Sequence, residues 1–155
     1  EILGTYGYQQ YEISNYAKPG YMCRHNAGYW QRREYLGFGL GASSLYRELR
    51  FSNTRRMQEY LTDSGKLEQI RKEVTVLSRN EQIEEFMFLG LRMTEGISEK
   101  LFKETFGVRI MDIYGDILQK YEAIGFMEHI ETKWCLTRKG IHVSNHILAD
   151  FLLDE

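Results

Sequence analysis

The order of patterns in the second half of the chain restricts its fold more than any other feature. Three helical patterns follow one another, then two short strand patterns joined by a turn, and then a last helix. The first helix begins at the capping box Ser78-Arg79-Asn80-Glu81, in which the Ser and Glu side chains satisfy free N–H groups. The expected buried side chains are Ile83, Phe86, Leu91, Leu101, Phe102, Ile113, Ile117, Leu118, Leu148 and Phe151.

The other helices and strands in this half also have boundaries that the sequence predicts. Ser98 opens the second helix, and the third has the best apolar period in the chain, between Ile110 and Tyr121. FMEHI and TKWCL predict a β-hairpin, and Thr137 predicts the cap of the last helix. Three helices, a hairpin and a closing helix predict a winged-helix-like domain over residues 76–155.

The first half, residues 1–75, predicts a mixture of strands and helix. Residues 8–16 alternate, which predicts a strand with Tyr11 and Ile13 on one face and Glu12 on a polar face. A glycine-rich segment, Gly37-Phe38-Gly39-Leu40-Gly41, predicts a second strand or bulge. A helix over residues 54–63, capped by Ser52-Asn53, precedes a charged linker that runs to about residue 75. The chain as a whole therefore predicts an α+β fold.

Charge and composition exclude several classes of function. The net charge is −2, so the chain has no overall attraction to nucleic acid. The third helix of the winged-helix-like domain carries Asp112, Asp116 and Glu122 against Arg109 and Lys120, which disfavours a role in reading DNA. No apolar run approaches the length of about 18 residues expected of a transmembrane helix. Two cysteines form no disulfide framework, which predicts a reducing, cytoplasmic location.

The stretch CRHNAGYW, residues 23–30, concentrates candidate binding residues. It shows neither a helical nor a strand period, so a loop is expected. His25 could ligate iron, and the Tyr29 and Trp30 rings could stack on a planar ligand. The simpler alternative is a loop anchored by its aromatic rings.

Two other patterns have mainly structural interpretations. His142, His146 and Asp150 are spaced i, i+4 and i+8, as metal ligands can be, but a solvated polar helix face explains them as well. Asn145 is expected nearer the core. The glycines at 37, 39 and 41 do not open a strong helix, so a phosphate loop is not indicated. The alternative interpretation is that these glycines leave the backbone uncovered so that a flat ligand can approach it.

Several of these stretches together resemble one known family. YEISNYAKPG, CRHNAGYW, YLGFGLGASS and RFSN resemble the radical SAM family of oxygen-independent coproporphyrinogen III oxidases and their relatives. His25-Asn26-x-x-Tyr29-Trp30 is similar to the HNxxYW signature of the HemW branch, the heme chaperones. EEFMFLGLRMTEGIS, LTRKG and SNHILADFL are similar to the C-terminal domain of the same family.

The resemblance implies a parent protein with a partial (β/α) radical SAM barrel. In that family a CxxxCxxC loop holds a [4Fe-4S] cluster to which S-adenosylmethionine binds, and no such loop occurs in this sequence. Residues 1–75 are then expected to be the last barrel strands, and residues 76–155 the C-terminal domain. The chain by itself is not expected to perform radical chemistry.

The resemblance also implies ligands and partners. The heme chaperone branch binds heme and delivers it to acceptor proteins; the alternatives are oxidative decarboxylation of coproporphyrinogen III and a winged-helix interaction module. Implied roles are His25 as iron ligand, Tyr29 and Trp30 as ring-stacking walls, and Asn26 as orienting hydrogen-bond partner. Gly41, Ala42 and Ser43 are expected on the S-adenosylmethionine side.

Self-association is a further expectation. If the strand around Tyr11 to Ser14 lacks its preceding barrel neighbour, its N–H and C=O groups are unpaired. A homodimer would cover that edge, whereas folding of residues 1–50 onto the C-terminal domain would leave a monomer.

Overall fold

The computed structural model describes residues 2–153, which form an α+β fold. The helices are α1 (Ile2–Thr5), α2 (Arg24–Trp30), α3 (Met57–Asp63), α4 (Leu67–Ile70), α5 (Arg79–Gly90), α6 (Glu99–Phe106), α7 (Ile110–Ala123), α8 (Arg138–His142) and α9 (Ser144–Ala149). The strands are β1 (Gln9–Gln10), β2 (Tyr16–Ala17), β3 (Ser43–Tyr46), β4 (Leu49–Asn53), β5 (Arg71–Val76), β6 (Ile97–Ser98), β7 (Met127–Ile130) and β8 (Lys133–Leu136).

The chain divides into two compact units. The first combines the residues up to Arg32 with those from Ile83 onward, and the second spans Arg33–Gln82. The division inferred from the sequence, a barrel piece over 1–75 and a C-terminal domain over 76–155, stays a prediction.

Helices α5, α6 and α7 and the antiparallel sheet β6-β8-β7 supply most of the buried core of the first unit. The predicted helix starts are confirmed by their caps. The Ser78 N–H donates to Glu81 Oε2 at 2.7 Å, Leu101 N–H donates to Ser98 Oγ at 3.3 Å, and Gly140 N–H donates to Thr137 Oγ1 at 3.1 Å. The predicted hairpin is β7–β8, so the helix and hairpin order is the winged-helix-like one expected.

The apolar face predicted for α7 does pack on the core of this unit, but only part of that face is fully enclosed. The fully enclosed side chains of that helix are Ile110, Tyr114, Leu118 and Tyr121. The expected core residues Ile113 and Ile117 pack against this core but are only partly buried, as are Phe86 and Leu148. Leu101 was expected to be buried, and this was wrong, because its side chain is 52% exposed. Ile83, Leu91, Phe102, Leu118 and Phe151 are buried as predicted.

The last helix is not continuous. The predicted single helix breaks at Val143, whose φ and ψ of −119° and 20° are not helical, and it becomes α8 and α9. Ser144, rather than the expected Asn145, turns toward the core, and Asn145 is exposed.

The predicted strand over residues 8–16 is also wrong. Two-residue strands β1 and β2 pair across a turn instead. Glu12, expected on a solvated face, is fully buried. The backbone between the two strands is paired within the chain, because Ile13 N–H donates to Arg92 C=O and Thr94 N–H to Tyr11 C=O. The open strand edge expected at Tyr11–Ser14 is therefore absent, and this segment folds onto the residues that follow α5.

The second unit is built on the sheet β3-β4-β5. The predicted glycine strand is wrong, because Gly39 and Gly41 have φ of 101° and 64°, and the first strand begins at Ser43. The predicted linker is α4 and β5, and β5 was hard to recognise because almost all of its side chains are exposed. The predicted cap Ser52-Asn53 is part of β4, and α3 begins after Arg56.

Candidate functional site

The stretch CRHNAGYW forms helix α2, and the loop expected there was wrong. Ala27 N–H donates to Cys23 C=O and Gln31 N–H to Ala27 C=O, each at 2.9 Å. The helix is held against the first unit by Ala27, which is only 3% exposed. This helix could not be predicted from the sequence, because its aromatic and polar residues form no apolar stripe and Gly28 has a poor helix propensity.

His25 and Tyr29 lie one turn apart on α2 and form a pair. The Tyr29 hydroxyl lies 2.7 Å from His25 Nε2, and the rings meet edge to face with centroids 4.7 Å apart. The imidazole is exposed and the phenol ring is half-buried. The pair therefore presents an accessible nitrogen atom with an aromatic ring beside it.

Asn26 and Trp30 also lie one turn apart on α2, each directly after a member of the His25–Tyr29 pair, and both are half-buried. The Arg92 guanidinium lies over the Trp30 ring, 4.2 Å from its centroid, and is attracted to the electron-rich ring face. Trp30 Nε1 is buried without a hydrogen-bond partner. Trp30 thus faces a cation of its own chain, which sequence reasoning had not anticipated.

A buried carboxylate lies behind this stack. Glu12 is 0% exposed, and its Oε1 atom accepts from Ser14 N–H at 3.0 Å and from the Asn15 side chain. Its Oε2 atom makes no hydrogen bond but lies 3.5 Å from Arg92 Nη2. Arg92 therefore bridges a buried anion and the ring of Trp30. The alternation of residues 8–16 predicted Glu12 in solvent, so this buried support was not foreseen from the sequence.

A second enclosed ion pair anchors the end of α2. Arg32 Nε lies 3.0 Å from Glu85 Oε2, and the two side chains are 10% and 6% exposed. Since Glu85 belongs to α5, the chain is attached to a core helix immediately after α2. The site helix is thus tied to the rest of the first unit by the contact of Arg92 with Trp30 and, just beyond its end, by the Arg32–Glu85 ion pair.

Gly41, Ala42 and Ser43 lie in the second unit, at the end of the glycine loop and the start of β3. Gly41 N–H donates to Thr54 C=O and Ala42 N–H to Gly39 C=O. Asn53, a residue the sequence did not single out, holds the loop by donating to the carbonyls of Gly37 and Gly39 at 3.1 and 2.9 Å.

The alternative metal ligands are not gathered into a site. No group of three or more His, Cys, Asp or Glu side chains within residues 2–153 is arranged to hold a metal ion. Asp150 instead accepts from Lys120 at 2.8 Å and from the Tyr121 hydroxyl at 2.7 Å, and these bonds lower the pKa of its carboxyl group. Cys23 is exposed, whereas burial raises the pKa of the Cys135 thiol.

Among residues 2–153, no helix combines the length and apolar character needed to cross a membrane.

Comparison with known proteins gives a consistent result across the chain. The HemN C-terminal domain family matches residues 77–143. The protein named heme chaperone HemW of Lactococcus lactis subsp. lactis (strain IL1403) is 34% identical over all of this chain and 40% of its own length. HemW of Bacillus subtilis (strain 168) is 34% identical over 97% of this chain and 40% of its own length. HemW of Escherichia coli (strain K12) is 30% identical over 99% and 40%.

A solved structure shares the fold. The coproporphyrinogen III oxidase HemN of Escherichia coli, a radical SAM enzyme, superposes with a TM-score of 0.74 at 16% identity, over 97% of this chain and 38% of that one. The chain spans about two fifths of the length of the HemW relatives that it matches. The match to the HemN C-terminal domain and the full-chain similarity to HemW proteins show that the chain corresponds to the part of HemW/HemN proteins that contains this domain.

Proposed function

We propose that this chain supplies the heme-binding helix of a HemW-type heme chaperone, with His25 as an axial ligand of the heme iron. The observation that carries the proposal is the exposed imidazole on α2, whose Nε2 atom has the Tyr29 hydroxyl as its partner. Imidazole nitrogen is a common axial ligand of heme. The name heme chaperone, borne by relatives that align with the whole chain, supports the same ligand.

The geometry of α2 suggests how each side chain contributes. Iron binding at Nε2 requires that the Tyr29 hydroxyl release this atom, after which its ring lies beside the porphyrin as a wall. Trp30 is the second wall, held rigid by Arg92 on one ring face. The Asn26 side chain, next to the imidazole in the chain, has no hydrogen-bond partner among residues 2–153, so its amide is available to orient the ligand.

The radical SAM cofactors are assigned to the longer parent protein. A [4Fe-4S] cluster held by three cysteines does not fit this chain, which has two, one exposed and one buried. Gly41, Ala42 and Ser43 remain our proposal for the S-adenosylmethionine side. The N–H groups of Gly41 and Ala42 already donate within the chain, so contact there would use side-chain or carbonyl atoms.

The proposed partners are heme-acceptor proteins in the cytoplasm, and not nucleic acid. On α7 and the residue before it, the two basic side chains are engaged by acids: Arg109 by Asp112, and Lys120 by Asp150. Such a helix offers little free positive charge to phosphates.

A homodimer of the chain also stays a proposal. The pairing of residues 11–14 within the chain removes the original reason for it, but Tyr6 and Phe38 remain 70% and 87% exposed. Light scattering across a concentration series should show twice the chain mass of 18.4 kDa, and a constant mass of one chain would contradict the dimer.

The chaperone function is tested by transfer. The hemin-loaded chain is mixed with an apo-globin, the two are separated by size, and the heme absorbance of each fraction is followed over time. We expect heme to move to the globin. Full retention by the chain would contradict delivery, and decarboxylation of coproporphyrinogen III by the longer parent protein would favour the oxidase function.

A further inference from the structure

A cavity of about 500 Å³ lies in the first unit, directly before the helix that carries His25. Its walls are β1 and Tyr11, the segment from Ala17 to Arg24, and the turn at Met93–Glu95. The volume falls within the range of about 300–1,000 Å³ typical of small-molecule sites. Because Arg24 is both a wall residue and the first residue of α2, the cavity and the candidate iron ligand are adjacent.

Two cations of the cavity wall have no acidic partner. Within residues 2–153, neither Lys18 nor Arg24 has a carboxylate in ion-pair distance, and the Lys18 ammonium contacts only the Tyr8 ring, 5.6 Å from its centroid. The one acid in the wall, Glu95, is engaged by Lys133 at 3.6 Å. A chain whose net charge is −2 thus places two free positive charges on one cavity.

The rest of the cavity wall is suited to the apolar edge of a flat ring system. Pro19, Met22 and Met93 supply apolar surface, and Met side chains adapt to the shape of a bound group. A ligand that matches these features is flat and apolar and carries two carboxylates at one edge. Guanidinium binds carboxylate through paired hydrogen bonds, and ammonium acts as a point charge.

We propose that this cavity receives the two propionate groups of the heme, with Arg24 and Lys18 as their counter-ions. The inference rests on the proposed function, since it takes His25 to be the iron ligand of the same heme. On this proposal, the cavity selects its ligand by the two propionate carboxylates. A porphyrin whose carboxylates are esterified would lose both ion pairs while keeping its iron and ring.

Two probes separate propionate contacts from iron ligation: hemin, and hemin dimethyl ester. The variants are Arg24→Met and Lys18→Met, which remove the charge and keep a long side chain. Arg33→Met, at an exposed arginine outside the cavity, controls for the change in net charge. Arg24→Lys tests rescue by a retained positive charge.

We expect Arg24→Met and Lys18→Met each to weaken hemin binding by about tenfold, as expected for a charge-assisted hydrogen bond. Affinity for the dimethyl ester should change less than about twofold by the same reasoning. Arg24→Lys should recover much of the loss, and Arg33→Met should bind hemin like the wild type. Equal losses for both probes, or no loss of hemin affinity, would overturn the inference.

The two proposals fail in distinguishable ways. If His25→Ala abolishes the Soret shift of bound hemin while both charge variants bind normally, only the propionate site is wrong. If the charge variants behave as expected while His25→Ala leaves the spectrum unchanged, the propionate site stands and His25 is not the ligand. If the wild-type chain binds neither probe, both proposals are overturned.

Discussion

Arg92→Met should destabilise the first unit by leaving Glu12 without its counter-charge. The Glu12 side chain is 0% exposed, and its Oε2 atom has the Arg92 guanidinium at 3.5 Å as its cationic neighbour. Methionine preserves most of the side-chain volume, so the main effect is electrostatic. Breaking an enclosed ion pair by removing one partner costs about 3–5 kcal/mol, because the remaining charge is buried and uncompensated. That is a large part of the 5–15 kcal/mol by which domains are typically stable.

Urea denaturation followed by tryptophan fluorescence measures this cost. Trp30 and Trp134 both lie in the first unit, so the signal reports on the unit that contains the ion pair. The matched control is Arg109→Met, which removes an exposed ion pair with Asp112 and should have little effect on the unfolding midpoint.

A double-mutant cycle separates the ion pair from other contributions of Arg92. Glu12→Gln together with Arg92→Met leaves no buried charge, so the double variant should be more stable than Arg92→Met alone. A cost below about 1 kcal/mol for Arg92→Met, or additive effects in the cycle, would refute the reasoning, because the ion pair would then behave as a solvent-screened one.

The burial of Leu118 and Cys135 and the lowered pKa of the Asp150 carboxyl group can each be measured. Leu118→Ala should cost about 2.7–5 kcal/mol in urea denaturation, whereas Leu101→Ala should cost within about 0.5 kcal/mol; comparable losses would mean that the helix faces are misassigned. A thiol reagent should label Cys23 quickly and Cys135 only on unfolding, because Cys135 is enclosed and burial raises its pKa; two rapid equivalents would contradict this. The lowered pKa of Asp150 means that its stabilisation is present above the unfolded pKa of about 3.9 and is lost as pH falls through the folded pKa. Asp150→Asn should therefore be less stable than the wild type at neutral pH, with a difference that shrinks below about pH 4; a difference independent of pH would contradict this.

Much of the second half of the fold could be predicted because its signals are local. Ser78, Ser98 and Thr137 cap the helices that they were expected to cap, and each does so through its own hydroxyl. The phase of α7 was harder. Its apolar face is wide enough to contain both the line of Ile113 and Ile117 and the line of residues 110, 114, 118 and 121, and packing against the sheet and α9 decides between them.

The first half resisted prediction because tertiary contacts determine it. Glu12 alternates with apolar neighbours as a surface residue would, yet Arg92, far along the chain, makes its burial tolerable. Strand β5 has almost no buried side chain, so backbone pairing with β4 defines it and no apolar pattern could reveal it. The candidate binding residues of α2 were found from their chemistry and the family resemblance, whereas their helical arrangement and the cations of the adjacent cavity required the structure.

The central claim, that α2 supplies the iron ligand of a bound heme, is tested most directly by hemin titration of the chain and its His25→Ala variant. His142→Ala is the matched control, since it removes another exposed imidazole. We predict a shifted Soret band for the wild type and His142→Ala, and weaker binding with an altered band for His25→Ala. Identical spectra and affinities for all three proteins would contradict it.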